Sequence, residues 1–117
     1  MTDTIIAQST PSGQSALALV RISGPLSANV AKDALALPCP TPRKSYLREY
    51  RSTNQNEILD QVMAVYFPEG ESFTGDATLE ISCHGNSLIV ERILQDLLSR
   101  GCRIANPGEF SRRAFMS

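Results

Sequence analysis

The sequence predicts an α+β fold, a mixed and mainly antiparallel sheet with helices on one side. Three observations lead there. The elements run β-β-α-β-β-β-α-β and then begin another helix. Short polar turns join neighbouring strands as hairpins do. Residues 86–100 form an amphipathic helix that returns to a short strand through a tight turn.

Residues 4–7 are short, apolar and β-branched at Ile5 and Ile6, which suits a first strand. Pro11 and Gly13 mark a loop. Residues 16–22 are nearly continuously apolar, as in a strand buried on both faces, and Arg21 is the one charge in them. Its stem can pack on the sheet edge, or its guanidinium can serve an anionic or carbonyl-bearing ligand. Gly24 and Pro25 break the strand, Pro25 suits a first helical turn, and Leu26, Val30, Ala34 and Leu35 give a modest apolar stripe. Pro38, Pro40 and Pro42 prevent that helix from continuing. Residues 45–50 read as an exposed strand, residues 54–57 as a turn and residues 58–67 as a more central strand.

Residues 77–84 alternate. Ala77, Leu79, Ile81 and Cys83 point one way, and Thr78, Glu80, Ser82 and His84 the other. In the following helix Ile89, Val90, Ile93, Leu94, Leu97 and Leu98 share one face. Glu91, Arg92, Gln95, Asp96, Ser99 and Arg100 share the polar face. Asn86 or Ser87 caps its start, and Gly101 suits the position after its end. Residues 102–105 suit an edge strand, and Asn106-Pro107-Gly108 a type II turn. Residues 109–116 begin a last helix, with Arg112 and Arg113 side by side on its polar side. The chain ends inside this amphipathic segment, so a larger parent protein is expected.

The 117 residues suit one domain with one core. The net charge of −1 offers no global basic field for nucleic acid, and no apolar run approaches the roughly 18 residues of a membrane span. Arg43, Lys44, Arg48 and Arg51, opposed locally by Glu49, are the candidate phosphate contact, or a solvated strand face. Cys39, Cys83 and Cys102 form no CxxC pair, and there is one histidine, which argues against a zinc site. Reduced, buried thiols in a cytoplasmic protein are expected. Gly70 and Gly75 have Walker A spacing, but Asp76 and Ala77 stand where Lys and Ser or Thr are required, so a P-loop is excluded there.

Cys83 and His84 are neighbours on a strand and point to opposite faces, so they do not form a catalytic pair. Glu80 and His84 share a face about 13 Å apart, too far for direct acid–base work. A flat polar ligand along that face reaches both. A carboxylate such as Glu80 accepts two parallel N–H bonds from the amidine-like edge of a pterin or guanine. The alternative is that Glu80 pairs with Arg21 or another cation across the sheet.

Ordered strings along the chain resemble the N-terminal domain of the MnmE (TrmE) family of tRNA modification GTPases. They are Asp3-Thr4-Ile5 with Ala7, Thr10-Pro11-x-Gly13, Val20-Arg21-Ile22-Ser23-Gly24-Pro25, Phe67-Pro68, Ser72-Phe73-Thr74-Gly75-Asp76, Leu79-Glu80, His84-Gly85 and Pro107-Gly108-Glu109-Phe110-Ser111-x-Arg113-Ala114-Phe115. The resemblance implies half of an aminomethyltransferase-like folate-binding fold, so residues 1–117 are one N-terminal folate-binding and dimerisation domain. It implies a homodimer holding 5-formyl- or 5,10-methylene-tetrahydrofolate, with Arg21 and Glu80 as folate contacts. Thr78, Ser82 and His84 line the same face. The family's helical and G domains, with GTP, Mg and K, are absent from this chain, which is then no enzyme alone. The implied partners are tRNA, modified at its wobble uridine, and the flavoprotein MnmG (GidA). No membrane is involved. The alternative reading is a structural dimerisation module without ligand competence. Residues 12–16, Ser-Gly-Gln-Ser-Ala, depart from the family's more glycine-rich and basic loop and favour it, as does the family lysine expected just beyond Ser117.

Overall fold

The computed structural model describes residues 3–9, 16–54 and 56–116. Along the chain these form β1 (Ile5–Gln8), β2 (Leu17–Ser23), α1 (Ser27–Leu35), β3 (Ser45–Arg51) and β4 (Ile58–Phe67). Then follow β5 (Thr78–His84), α2 (Ser87–Ser99), β6 (Arg103–Ile104) and α3 (Glu109–Met116). The expected order holds element for element. The expected loop at residues 10–14 lies outside the described residues.

One sheet runs β3-β4-β5-β2-β1-β6. Every neighbouring pair is antiparallel except β1 with β6, which makes the sheet mixed. The period-two pattern of β5 builds the centre. Leu79, Ile81 and Cys83 are buried beside Ala18, Val20 and Ile22 of β2 and Val62 and Ala64 of β4. Val30, Ala31, Ala34 and Leu35 of α1 and Val90, Ile93 and Leu97 of α2 close over that face. The other sheet face is covered where Ile5, Ser23 and Thr78 are buried; among the described residues it is open beyond them, and there Leu17, Leu47 and Met63 stay exposed.

The ends of α2 follow the sequence. Asn86 Oδ1 accepts from the N–H groups of Leu88 and Ile89. At the other end the Gly101 N–H donates to Leu98 and the Cys102 N–H to Leu97, the paired bonds of a Schellman motif. The turn at Asn106-Pro107-Gly108 is also as expected. Gly108 has φ +75°, and the Glu109 N–H donates to the Asn106 carbonyl.

Five expectations change. Pro25 precedes α1 rather than entering it, because the Thr4 hydroxyl receives the Leu26 N–H and Ser27 opens the helix. Tyr50 is fully buried instead of exposed, and Asp96 is buried instead of lying on a polar helix face. The two explain each other, since the Tyr50 hydroxyl donates to Asp96 at 2.6 Å. Asp96 also accepts from the Thr53 N–H and hydroxyl and from Arg100. Arg113 does not stand beside Arg112 in solvent but turns inward to Asp3, Asp76 and Glu109. Cys39 is exposed, while Cys83 and Cys102 are buried and all three are free thiols. Burial pushes both buried thiols up to about 11.

Candidate functional site

On the open face, β2 and β5 bring Arg21 and Glu80 into direct register. Arg21 Nε donates to Glu80 Oε2 at 3.0 Å, and both side chains are about a quarter exposed (28% and 26%). The cross-strand pair foreseen as the alternative for Glu80 therefore exists. Only one carboxylate oxygen and one guanidinium nitrogen are used in it. Among the described residues, Glu80 Oε1 and both Nη groups of Arg21 have no hydrogen-bond partner.

A cavity of about 220 Å³ opens beside this pair, lined by Phe67, Ser72, Phe73 and Thr74 along with Thr78 and Glu71. Phe67 ends β4 and Phe73 rides on the β4–β5 loop, where it is exposed. A chain of hydroxyls fastens that loop to the sheet. Ser23 Oγ and Thr74 Oγ1 are 2.6 Å apart, and Thr78 Oγ1 donates to Ser23 Oγ and to the Asp76 carbonyl. Arg43 forms an ion pair with Glu71, which holds the loop from its other side.

The expected polar face is thus only partly a single site. Arg21, Glu80 and Thr78 meet at the cavity. Thr78 is buried, with its hydroxyl engaged within the fold. Ser82 is half-buried one strand repeat farther along, opposite Leu19 and Met63. His84 lies at the far end of β5, and it has the charged partner that the sequence did not show. Asp60 Oδ1 bonds its Nδ1 at 2.8 Å, and Asp60 Oδ2 accepts its backbone N–H at 2.9 Å. Asp60 is sheltered while the imidazole is exposed. Phe67, Phe73 and Thr74 were missed as site residues, although the hydrophobic end of β4 and the strand-entry loop were both legible.

The basic cluster dissolves into local pairs. Arg43 goes to Glu71, Arg51 to Glu49, and Lys44 and Arg48 both sit 5.2 Å from the Tyr46 ring centroid. A larger groove of about 320 Å³ lies between α2 and the β3–β4 turn, next to Thr53, Glu57, Arg92 and Asp96. Its chemistry is internal. Arg92 pairs with Glu57, and Asp96 is consumed by Tyr50, Thr53 and Arg100.

Residues 4–117 match the family described as GTP-binding protein TrmE N-terminus. The chain belongs to this family. Curated relatives named tRNA modification GTPase MnmE agree with it. The Opitutus terrae protein is 50% identical over 115 residues, covering 98% of this chain and 25% of the relative. That of Bdellovibrio bacteriovorus is 44% identical over 117 residues, covering 98% and 24%. That of Helicobacter pylori is 41% identical over 117 residues, covering 100% and 25%. As a TrmE N-terminal domain, the chain spans about a quarter of the length of the relatives it matches. No helix among its described residues is long and apolar enough to cross a membrane.

Proposed function

We propose that this domain binds a reduced folate, 5-formyl- or 5,10-methylene-tetrahydrofolate, and dimerises within a cytoplasmic tRNA modification GTPase. The carrying observation is the Arg21–Glu80 pair lining a small cavity together with Phe67 and Phe73. A cavity of 220 Å³ lies below the roughly 300–1,000 Å³ of whole drug-sized sites, so it suits one bicyclic ring with the rest of the ligand outside. Glu80 receives the pterin's N–H edge, and Arg21 supports it. Ser82 and His84 lie along the line the folate tail would follow. Exposed Leu17, Leu47 and Met63 on the same open sheet face favour a second copy as its cover.

In the whole protein the folate supplies a one-carbon unit for the wobble uridine of tRNA, in concert with the flavoprotein MnmG. GTP, Mg and K belong to a G domain outside this chain. The relatives' name, tRNA modification GTPase, supports that setting. The test is calorimetric titration of the chain with 5-formyltetrahydrofolate, repeated with Glu80→Ala. Binding that survives the substitution unchanged rules out the pterin-edge role.

A second reading, dimerisation without ligand, draws on one feature of the structure besides the sequence departures: Arg21 already engages Glu80. Light scattering separates the two. A dimer that takes up no folate supports the second reading, and Leu47→Glu tests the open face in either case.

A further inference from the structure

We infer that the Arg21–Glu80 pair selects 4-oxopteridines and rejects 2,4-diaminopteridines, with Arg21 as the specificity-determining residue. This rests on the folate reading of the pocket. The argument begins with the atoms left over by the ion pair. Because Arg21 bonds through Nε to Glu80 Oε2, Glu80 Oε1 and the Nη groups of Arg21 are still available among the described residues. A carboxylate only accepts hydrogen bonds and a guanidinium only donates them. The pair therefore offers acceptors on one side and donors on the other.

A 4-oxopteridine presents the complementary edge. Its 2-amino group and N3–H donate, which suits Glu80. Its 4-oxo group accepts, which suits Arg21. Replacing the 4-oxo group by an amino group changes this edge. N3 becomes an acceptor facing a carboxylate, and the 4-amino group becomes a donor facing a guanidinium.

A lone carboxylate would still hold a 2,4-diaminopteridine, because that ring is readily protonated at N1 and pairs as a cation. Arg21 opposes this mode, since it puts a second positive charge against the guanidinium. Glu80 by itself thus favours the diamino ring, and Arg21 reverses the preference. The two side chains are about three-quarters buried, so their charges are only partly screened by solvent. A mismatched polar contact in such a site discriminates on the order of tenfold to a hundredfold.

The experiment compares 5-formyltetrahydrofolate with its 4-amino-4-deoxy counterpart, which differs at that one substituent. Dissociation constants for both are measured by calorimetry on the wild-type chain, Arg21→Gln and Arg21→Lys. The readout is the ratio of the two constants within each protein, so a general loss of affinity cancels. Circular dichroism checks that each variant is folded. Wild type should favour the 4-oxo ligand by at least about tenfold. Arg21→Gln should bring the ratio to one or invert it, and Arg21→Lys, which keeps the charge, should retain part of it. Equal wild-type affinities, or a ratio unmoved by Arg21→Gln, overturn the inference while leaving folate binding intact. Wild type that binds neither ligand overturns the folate reading itself, and this inference with it.

Discussion

Asp60 holds His84 twice, once by the ring and once by the backbone of the same residue. The two are 24 residues apart in sequence and meet because β4 and β5 are neighbours in the sheet. An ionised carboxylate has no proton to donate, so the bonded ring nitrogen must carry one. Neutral His84 is therefore expected as the Nδ1–H tautomer, with Nε2 facing solvent. Nitrogen-15 chemical shifts of the imidazole, recorded where the ring is neutral, check this. Finding Nε2–H as the main form in wild type would refute the contact, whereas Asp60→Ala should release the preference.

Asp96 is the node that ties the β3–β4 turn to α2. Burial pushes its carboxyl up, but the hydrogen bonds from Tyr50, Thr53 and Arg100 outweigh that and hold it below the ordinary value. The same burial and the same partner push the Tyr50 hydroxyl well up, so it stays protonated and donating. Asp96→Ala leaves Arg100 and the Tyr50 hydroxyl with no charged partner in a sheltered place. It should cost about 3 kcal/mol in denaturant unfolding. Tyr50→Phe removes one bond and keeps the others, and should cost about 1 kcal/mol. Equal losses would mean that the network is not held by the carboxylate.

Local pattern carried most of the fold. Alternation in 77–84 and helical periodicity in 86–100 identified the two central elements, because one face of each is buried against the other. What the pattern could not show was pairing between strands. Arg21 and Glu80 were each conspicuous, yet only the β2–β5 register makes them partners. Asp96 obeyed the helical period of the polar face and still became buried, because Tyr50 and Thr53 approach it from β3 and the following turn. Asp60 carried no local signal. Phe73 looked like a loop residue, and the folding of that loop onto Ser23 and Thr78 is what makes it a wall of the cavity.

Gly24 has φ +138°, and an added Cβ would lie 2.6 Å from Thr4 Cα and 2.7 Å from Thr4 Oγ1. That hydroxyl receives the Leu26 N–H that sets the start of α1. Strain and collision therefore act on the same junction between β2 and α1. Gly24→Ala should lower stability by about 2 kcal/mol or more in equilibrium unfolding. A loss within a few tenths of a kcal/mol would mean that the turn relaxes freely, contrary to the close approach of the Thr4 backbone.

Glu109 predicts a pH dependence of the docking of α3. Its carboxylate accepts from Arg103 at 2.6 Å and from the Asn106 N–H at 2.8 Å. The Arg103 bond, aided by Asn106, holds its carboxyl at about 2, below its ordinary 4.5. Arg103 holds Asp3 low as well. A carboxyl with a depressed folded-state value binds protons more readily when unfolded. Its contribution is therefore complete above about 4.5 and is lost as the pH falls towards about 2. Unfolding midpoints measured from pH 6 down to 2 should drop steeply for wild type through this window. Glu109→Gln should start lower at pH 6 and drop less, because its side chain has no charge to lose. Parallel curves for the two proteins would show that Glu109 is not the group that titrates. Arg113, which pairs with Asp3, Asp76 and Glu109, links α3 to the loop beside the cavity. Loss of the Glu109 carboxylate should therefore also weaken folate binding, measured by the same titration at pH 6 on wild type and Glu109→Gln.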